Sequence, residues 1–253
     1  MKINILGVLI DRITSKEVLK KIEEFLNSDT QHYITTPNPE FVMRAQKDEE
    51  FRNILNKSDI AIPDGIGLVF ASHFLGNPIP ERVAGSDLVW KIAKLAEYKN
   101  CSLYLLGGKE GVAEEAARKL KEKYPNLKIK GAESGGEVEE RKLKTQNEEM
   151  VKRINERQPD ILLVAFGAPK QEKWIYYNLS KLSSVKVAIG VGGTFDFIAG
   201  RIKRAPMFLR KLGMEWLWRL FIEPKRINRI LTATVRFGWK VLKWKIKKAK
   251  GPF

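Results

Sequence analysis

The sequence predicts an α/β protein: a mostly parallel sheet with flanking helices, followed by a basic helical C-terminal appendage. Short apolar runs alternate with longer helical patterns through residues 1–199, and strand–helix–strand repetition is the pattern of a parallel sheet. Charge divides the chain at the same point. Residues 200–253 hold 16 Lys and Arg against only Glu215 and Glu223, a balance of +14, whereas residues 1–199 balance at +2. At ~150 residues per domain, 253 residues suit one body (1–199) with a basic helical appendage (200–253), whose charge must meet nucleic acid, a membrane surface or a phosphorylated substrate.

The expected strands are Ile3–Leu9, Tyr33–Thr35, Ile60–Ile62, Leu103–Leu106, Lys128–Gly131, Ile161–Ala165 and Val185–Ile189. Helical patterns fall near 15–27, 39–56, 66–75, 86–98, 110–123, 139–157 and 169–181. Ser86 and Glu110 suit helix starts, and Pro159 marks a stop before a strand. In the appendage one helix is expected from Pro206 to Ile222, ended by Pro224, and a second from there to Lys247. At ~100° per residue Lys225, Arg226, Arg229, Arg236, Lys240, Lys243 and Lys247 share a basic stripe, with Ile227, Ile230, Leu231, Val235, Phe237, Trp239, Val241, Leu242 and Ile246 on the remaining arc. Such a helix suits an anionic membrane surface. The alternative is that it packs on the body with its charges solvated.

Composition excludes several functions. A single cysteine, Cys101, leaves no intramolecular disulfide, and two histidines leave little for a His-based metal centre. The chain has no run of about 18 apolar residues, and Asp11 and Arg12 follow the N-terminal apolar run without a cleavage site. The expected location is therefore cytoplasmic, peripheral on the inner face of the cell membrane. There is no G-x-G-x-x-G, no Walker A pattern and no G-x-S-x-G elbow.

In parallel sheets ligands bind at the carboxyl ends of the strands. Five loops there carry distinctive chemistry: TTPNPE (35–40), IPDGIG (62–67), LLGGKEG (105–111), AFGAPKQE (165–172) and IGVGGTFDFIAG (189–200). Three carry glycines directly after an apolar strand, which suits phosphate binding in a Rossmann-like body, although strand-end glycines also make plain turns. Of the carboxylates, Asp64 is the first candidate base, Asp196 the second, and Asp11 a strand terminator; Pro-Asp-Gly is also an ordinary turn. His32 and His73 are expected to be structural. No Asp-x-Asp motif is present to hold a divalent cation, so a leaving pyrophosphate must be met by amides and by Lys170, Arg82 and the appendage arginines.

Together TPNPEFV, IPDGIGLVFAS, PERVAGSDL, YLLGG, FGAPKQEKW, GVGGTFDFIAG and KRAPMFLRKLGMEWLWRLFIEPKR resemble the WecG/TagA/CpsF family of bacterial glycosyltransferases over nearly the whole chain. The resemblance implies inverting, metal-independent transfer of ManNAc from UDP-ManNAc to the 4-hydroxyl of GlcNAc on undecaprenyl pyrophosphate, without cofactor, in teichoic acid linkage-unit synthesis. UDP-ManNAcA and UDP-glucose are the alternative donors. It implies that Asp64 is the general base, that Thr36 and Asn38 contact the donor sugar or shape the site near the anomeric carbon, that Gln171 is another polar contact in the same pocket, and that the glycine loops hold uridine and pyrophosphate. The residues concerned are Gly107, Gly108, Gly167, Pro169, Lys170, Gly192, Gly193, Thr194, Phe195 and Asp196. Arg219, Arg226 and Arg229 would fold over the pocket with Arg82 and meet pyrophosphate. It further suggests self-association of the body. Two readings compete with it: a nucleic-acid binder gripping phosphates with the basic tail, disfavoured by the apolar face, and a silent UDP-sugar sensor.

Overall fold

The computed structural model describes residues 1–143 and 147–249. The chain opens with an antiparallel hairpin, β1 (Lys2–Ile5) and β2 (Val8–Asp11), which lies outside the main sheet. The single strand expected at Ile3–Leu9 is thus two. Leu6 and Gly7 both take positive φ, 54° and 86°, and the Asn4 side chain accepts from the Gly7 N–H at 2.7 Å, which closes the turn. Ile3, Ile5, Val8 and Ile10 all point into the core.

Six parallel strands form the main sheet. They are β3 (His32–Thr35), β4 (Ile60–Ala61), β5 (Ser102–Gly107), β6 (Lys128–Glu133), β7 (Ile161–Ala165) and β8 (Val187–Gly190), in the spatial order β4-β3-β8-β7-β5-β6. Every residue of β5, β7 and β8 is buried, as expected of strands covered on both faces. One face carries α1 (Ser15–Leu26), α5 (Gly85–Tyr98) and α6 (Val112–Lys123), packing Ile22, Val89 and Ala116 onto Leu103, Leu163 and Ile189. The other carries α7 (Glu148–Arg157) and α8 (Lys170–Asn178), centred on Trp174. The short helix α9 (Thr194–Ile198) follows β8.

Three helices enclose the hairpin beside β3 and β4. The helix expected over 39–56 divides into α2 (Pro39–Ala45) and α3 (Glu49–Asn56), because the Asp48 carboxylate accepts from the Phe51 N–H at 2.9 Å and starts a new helix. The third is α4 (Ile66–Phe74). At the sheet edge the Asp11 carboxylate accepts from the Ala61 N–H of β4 at 2.9 Å, so Asp11 serves the fold, as expected. The pattern at 139–157 is helical only from Glu148, after a short 3-10 turn at Glu140–Lys142; residues 144–146 of that expectation lie outside the described residues. The helices expected at Ser86 and Glu110 begin instead at Gly85 and at Val112, after the left-handed Gly111.

The appendage is more broken than its sequence suggests. The helix expected over 206–222 becomes α10 (Met207–Lys211) and α11 (Glu215–Ile222), parted at Gly213, where φ is 71° and a β-carbon would stand 2.9 Å from the Ile66 side chain. The second helix runs as α12 (Ile227–Leu231), a π turn (Thr232–Arg236) and α13 (Phe237–Ala249), and the final four residues of the appendage lie outside the described set. Its apolar arc divides in two. Ile230, Phe237 and Val241 are buried, Phe237 and Val241 in the core built by the hairpin, α2 and α4, whereas Val235, Trp239 and Ile246 face outward.

Candidate active site

The carboxyl ends of β3, β4, β7 and β8 open into a cleft of about 1500 Å3, roofed by α11, α12 and the π turn. Asp64 stands on its floor. The Asp64 N–H donates to the Pro37 carbonyl at 2.9 Å, tying the loop after β4 to the loop after β3. Its carboxylate faces the first turn of α5: a β-carbon on Gly85 would come within 3.3 Å of Asp64 Oδ2. Burial pushes this carboxyl up to about 6, helped by the charges of Glu215 and Asp87 and opposed by Arg82 and the Gly85 N–H. A half-buried carboxylate with that proton affinity, open to the cleft, can take a proton near neutral pH.

The other residues expected to act in the site separate into several groups. Thr36 and Asn38 line the cleft with polar atoms already engaged. Thr36 Oγ1 donates to the Gly190 carbonyl at 2.8 Å, and Asn38 Oδ1 caps α2 by accepting from the Phe41 N–H at 3.1 Å. Gln171 is fully buried and acts as a brace. Its Oε1 accepts from the Gly167 and Gly192 N–H groups, each at 3.0 Å, while its Nε2 donates to Glu172 Oε1 at 2.6 Å. The oxygen end of the amide thus joins two glycine loops and the nitrogen end is held by Glu172, in a side chain that also lines the cleft. Glu172, also fully buried, is pushed up to about 7 by desolvation. Gly190 is required beside this pair, since a β-carbon there would meet Gln171 Nε2 at 2.7 Å and Glu172 Oε1 at 2.8 Å.

Gly167, Gly192, Gly193, Thr194 and Asp196 line the cleft. Burial raises the Asp196 carboxyl, against the pull of Arg219, Lys109 and Arg226. Gly107, Gly108, Pro169, Lys170 and Phe195 lie outside the lining. Gly107 lets β5 approach β7, with room for no β-carbon within 2.7 Å of the Ala165 backbone, and the Gly108 N–H bonds the Ala165 carbonyl. Pro169 is buried where α8 begins, Phe195 is in the core, and Lys170 turns its ammonium to the Val138 carbonyl at 2.7 Å. His32 bonds Asp59 and Ser28, and His73 bonds the Val69 carbonyl of its own helix, so both are structural, as expected.

The expected arginines converge from above. Arg219, Arg226 and Arg229 all line the cleft. Glu223 pairs with Arg219 and Arg226, each at 3.0 Å, and Glu40 with Arg229 at 2.8 Å. Arg219 also lies over the Phe197 ring at 4.8 Å; burial and the neighbouring Arg226 hold its guanidinium below the usual range. Arg82 lines the cleft too, but is already paired. Its Nη1 lies 3.3 Å from Glu215 Oε2, and its Nη2 donates to the Arg210 carbonyl. Arg204 then spans Asp87 at 2.7 Å, Ser86 at 2.9 Å and Glu215 at 3.5 Å. Sequence reading assigned no role to Asp87, Arg204, Glu215 and Phe197, although each lies in a quoted motif, because their partners are set only when the fold joins the appendage to the body.

Phe70, Phe74, Trp216 and Leu242 line the outer part of the same cleft and are exposed. Among the described residues no group of three or more His, Cys, Asp or Glu side chains is placed to hold a metal ion, and no helix is long and apolar enough to cross a membrane.

Residues 3–251 match the Glycosyl transferase WecG/TagA/CpsF family. The chain is 37% identical over 253 residues to the N-acetylglucosaminyldiphosphoundecaprenol N-acetyl-beta-D-mannosaminyltransferase of Staphylococcus aureus strain MRSA252, covering 98% of this chain and 96% of the relative. The protein of the same description from strain NCTC 8325 / PS 47 is 36% identical with the same coverage. A match that takes in the hairpin, the sheet and the appendage leaves one conclusion: this chain belongs to the WecG/TagA/CpsF family of glycosyltransferases.

Proposed function

We propose that the protein transfers ManNAc from UDP-ManNAc to the 4-hydroxyl of GlcNAc carried on undecaprenyl diphosphate, the acceptor class named in its relatives. Asp64 takes the proton from the acceptor hydroxyl as that oxygen attacks the anomeric carbon. The bond from that carbon to the β-phosphate oxygen breaks on the opposite face, so configuration inverts and UDP leaves with the electron pair. The observation that supports this most directly is a half-buried carboxylate, with a proton affinity near neutrality, on the floor of a cleft walled by glycine loops and arginines. Gly167 and Gly192, held in register by Gln171, suit the approach of a diphosphate to backbone. Arg219, Arg226 and Arg229, which line the cleft, offset the charge developing on UDP, a task that other transferases give to a metal ion.

The lipid acceptor places this chemistry at a membrane. Exposed Phe70, Phe74, Trp239 and Ile246, interspersed with the lysines of α13, suit peripheral docking on an anionic leaflet. The test is UDP release from UDP-ManNAc in EDTA, with a short prenyl-diphosphate GlcNAc acceptor and Asp64→Ala beside the wild type. Acceptor-dependent release that survives EDTA and vanishes in the variant is the expected result. Release only from UDP-ManNAcA or UDP-glucose would replace the donor, and a requirement for magnesium would overturn the metal-independent step.

A further inference from the structure

Arg82 is the cation whose charge acts on Asp64, yet it is bound elsewhere. Its partner Glu215 sits in the first turn of α11, in the appendage, and both side chains are largely buried, at 16% and 17% exposure. The second oxygen of Glu215 faces Arg204, which is anchored on Ser86 and Asp87 in the same first turn of α5 that presents the Gly85 N–H to Asp64. The groups that act on the Asp64 carboxylate are therefore Arg82, Gly85 N–H, Glu215 and Asp87. Arg82 and Asp64 both line the cleft, and the Val83 N–H donates to the Pro63 carbonyl at 3.0 Å, which sets their two segments side by side, so the guanidinium held by Glu215 has Asp64 as a second carboxylate neighbour. An Arg82 seated on Asp64 would occupy the lone pairs that must accept the acceptor's proton.

We propose that Glu215 is a positioning residue for the transfer: by clasping Arg82 it keeps that guanidinium off Asp64, so the docked appendage leaves the base free to accept a proton. This rests on the reading of Asp64 as the base. Because Glu215 belongs to the appendage and Arg82 to the body, lifting the appendage would withdraw the clasp and release Arg82 toward the base.

The experiment is the pH dependence of kcat/KM for the full chain, in detergent with a short-chain prenyl-diphosphate acceptor, for wild type, Glu215→Gln, Glu215→Asp and Arg82→Gln. In the wild type the acidic limb falls near pH 6. Glu215→Gln removes a negative charge and frees the cation, so the limb moves to lower pH by about one unit and the plateau drops about threefold. Glu215→Asp, which keeps the charge, returns the limb toward wild type. Arg82→Gln moves the limb upward, and in that background Glu215→Gln shifts it by less. A Glu215→Gln profile scaled down equally at every pH, or an unchanged one, overturns the proposal. Failure of the base reading is separate, since Asp64→Asn would then retain near-wild-type turnover.

Discussion

Asp64 and Glu172 are both carboxyls whose burial makes ionisation costly, and they meet different ends. Asp64 opens onto the cleft and can use its raised proton affinity in chemistry; Glu172 is sealed beneath Gln171 and cannot. Replacing Asp64 by Asn should lower kcat by about 10²–10⁴-fold with the melting temperature unchanged or raised, read by UDP release and thermal scanning. Glu172 should instead be visible in stability. Its folded proton affinity, near 7, exceeds the ordinary carboxyl value of 4.5, so between those pH values the folded state holds a proton that the unfolded state has lost. Stability then falls as pH rises through that window and is fully retained below it. Glu172→Gln should flatten this loss by roughly 1–3 kcal/mol between pH 5 and pH 8, measured by urea unfolding at each pH. An equal slope in both proteins would place the burden elsewhere.

At the scale of elements, the end of β8 is the tightest constraint on the site. Gly190 accepts Thr36 at its carbonyl and leaves no space for a side chain against Gln171 and Glu172. Gly190→Ala should cost about 1–3 kcal/mol and raise the KM for the donor, because the brace that fixes the Gly167 and Gly192 loops must shift. A variant with wild-type stability and KM would show that the brace yields freely. The interior strands were legible in sequence because buried parallel strands read as unbroken apolar runs, as in ILLVA at Ile161–Ala165. The N-terminal hairpin was misread for the same reason: its apolar run hides a turn at Leu6 and Gly7 that only positive φ reveals. Asp64 could be named from its loop, but Glu215 could not, since it meets Arg82 across 133 residues of chain and nothing in its own motif names that partner. Lys170 and Phe195 sit inside motifs that do line the cleft while their side chains turn away, a choice made by packing and invisible to spacing.

For the whole molecule, the division of charge has a directional consequence. The cationic appendage roofs the cleft, so under the proposed membrane docking the surface that meets an anionic leaflet is the one that carries the cleft mouth. Reversing Lys240, Lys243 and Lys247 to Glu should weaken sedimentation with anionic vesicles by at least 10²-fold, at about 1 kcal/mol per basic residue, while turnover of a soluble acceptor persists. Equal loss of both would mean that these lysines support the fold of the appendage. The carboxylate of Asp11 bonded to the Ala61 N–H has its own consequence at this scale. A six-stranded open sheet has two rims where a foreign strand could add and seed aggregation. The hairpin occupies one rim with a charge already satisfied, and the other, β6, carries outward-facing Lys128 and Lys130. Both rims of the sheet are thus closed to a foreign strand, which would matter most if, as proposed above, the protein gathers on a two-dimensional surface.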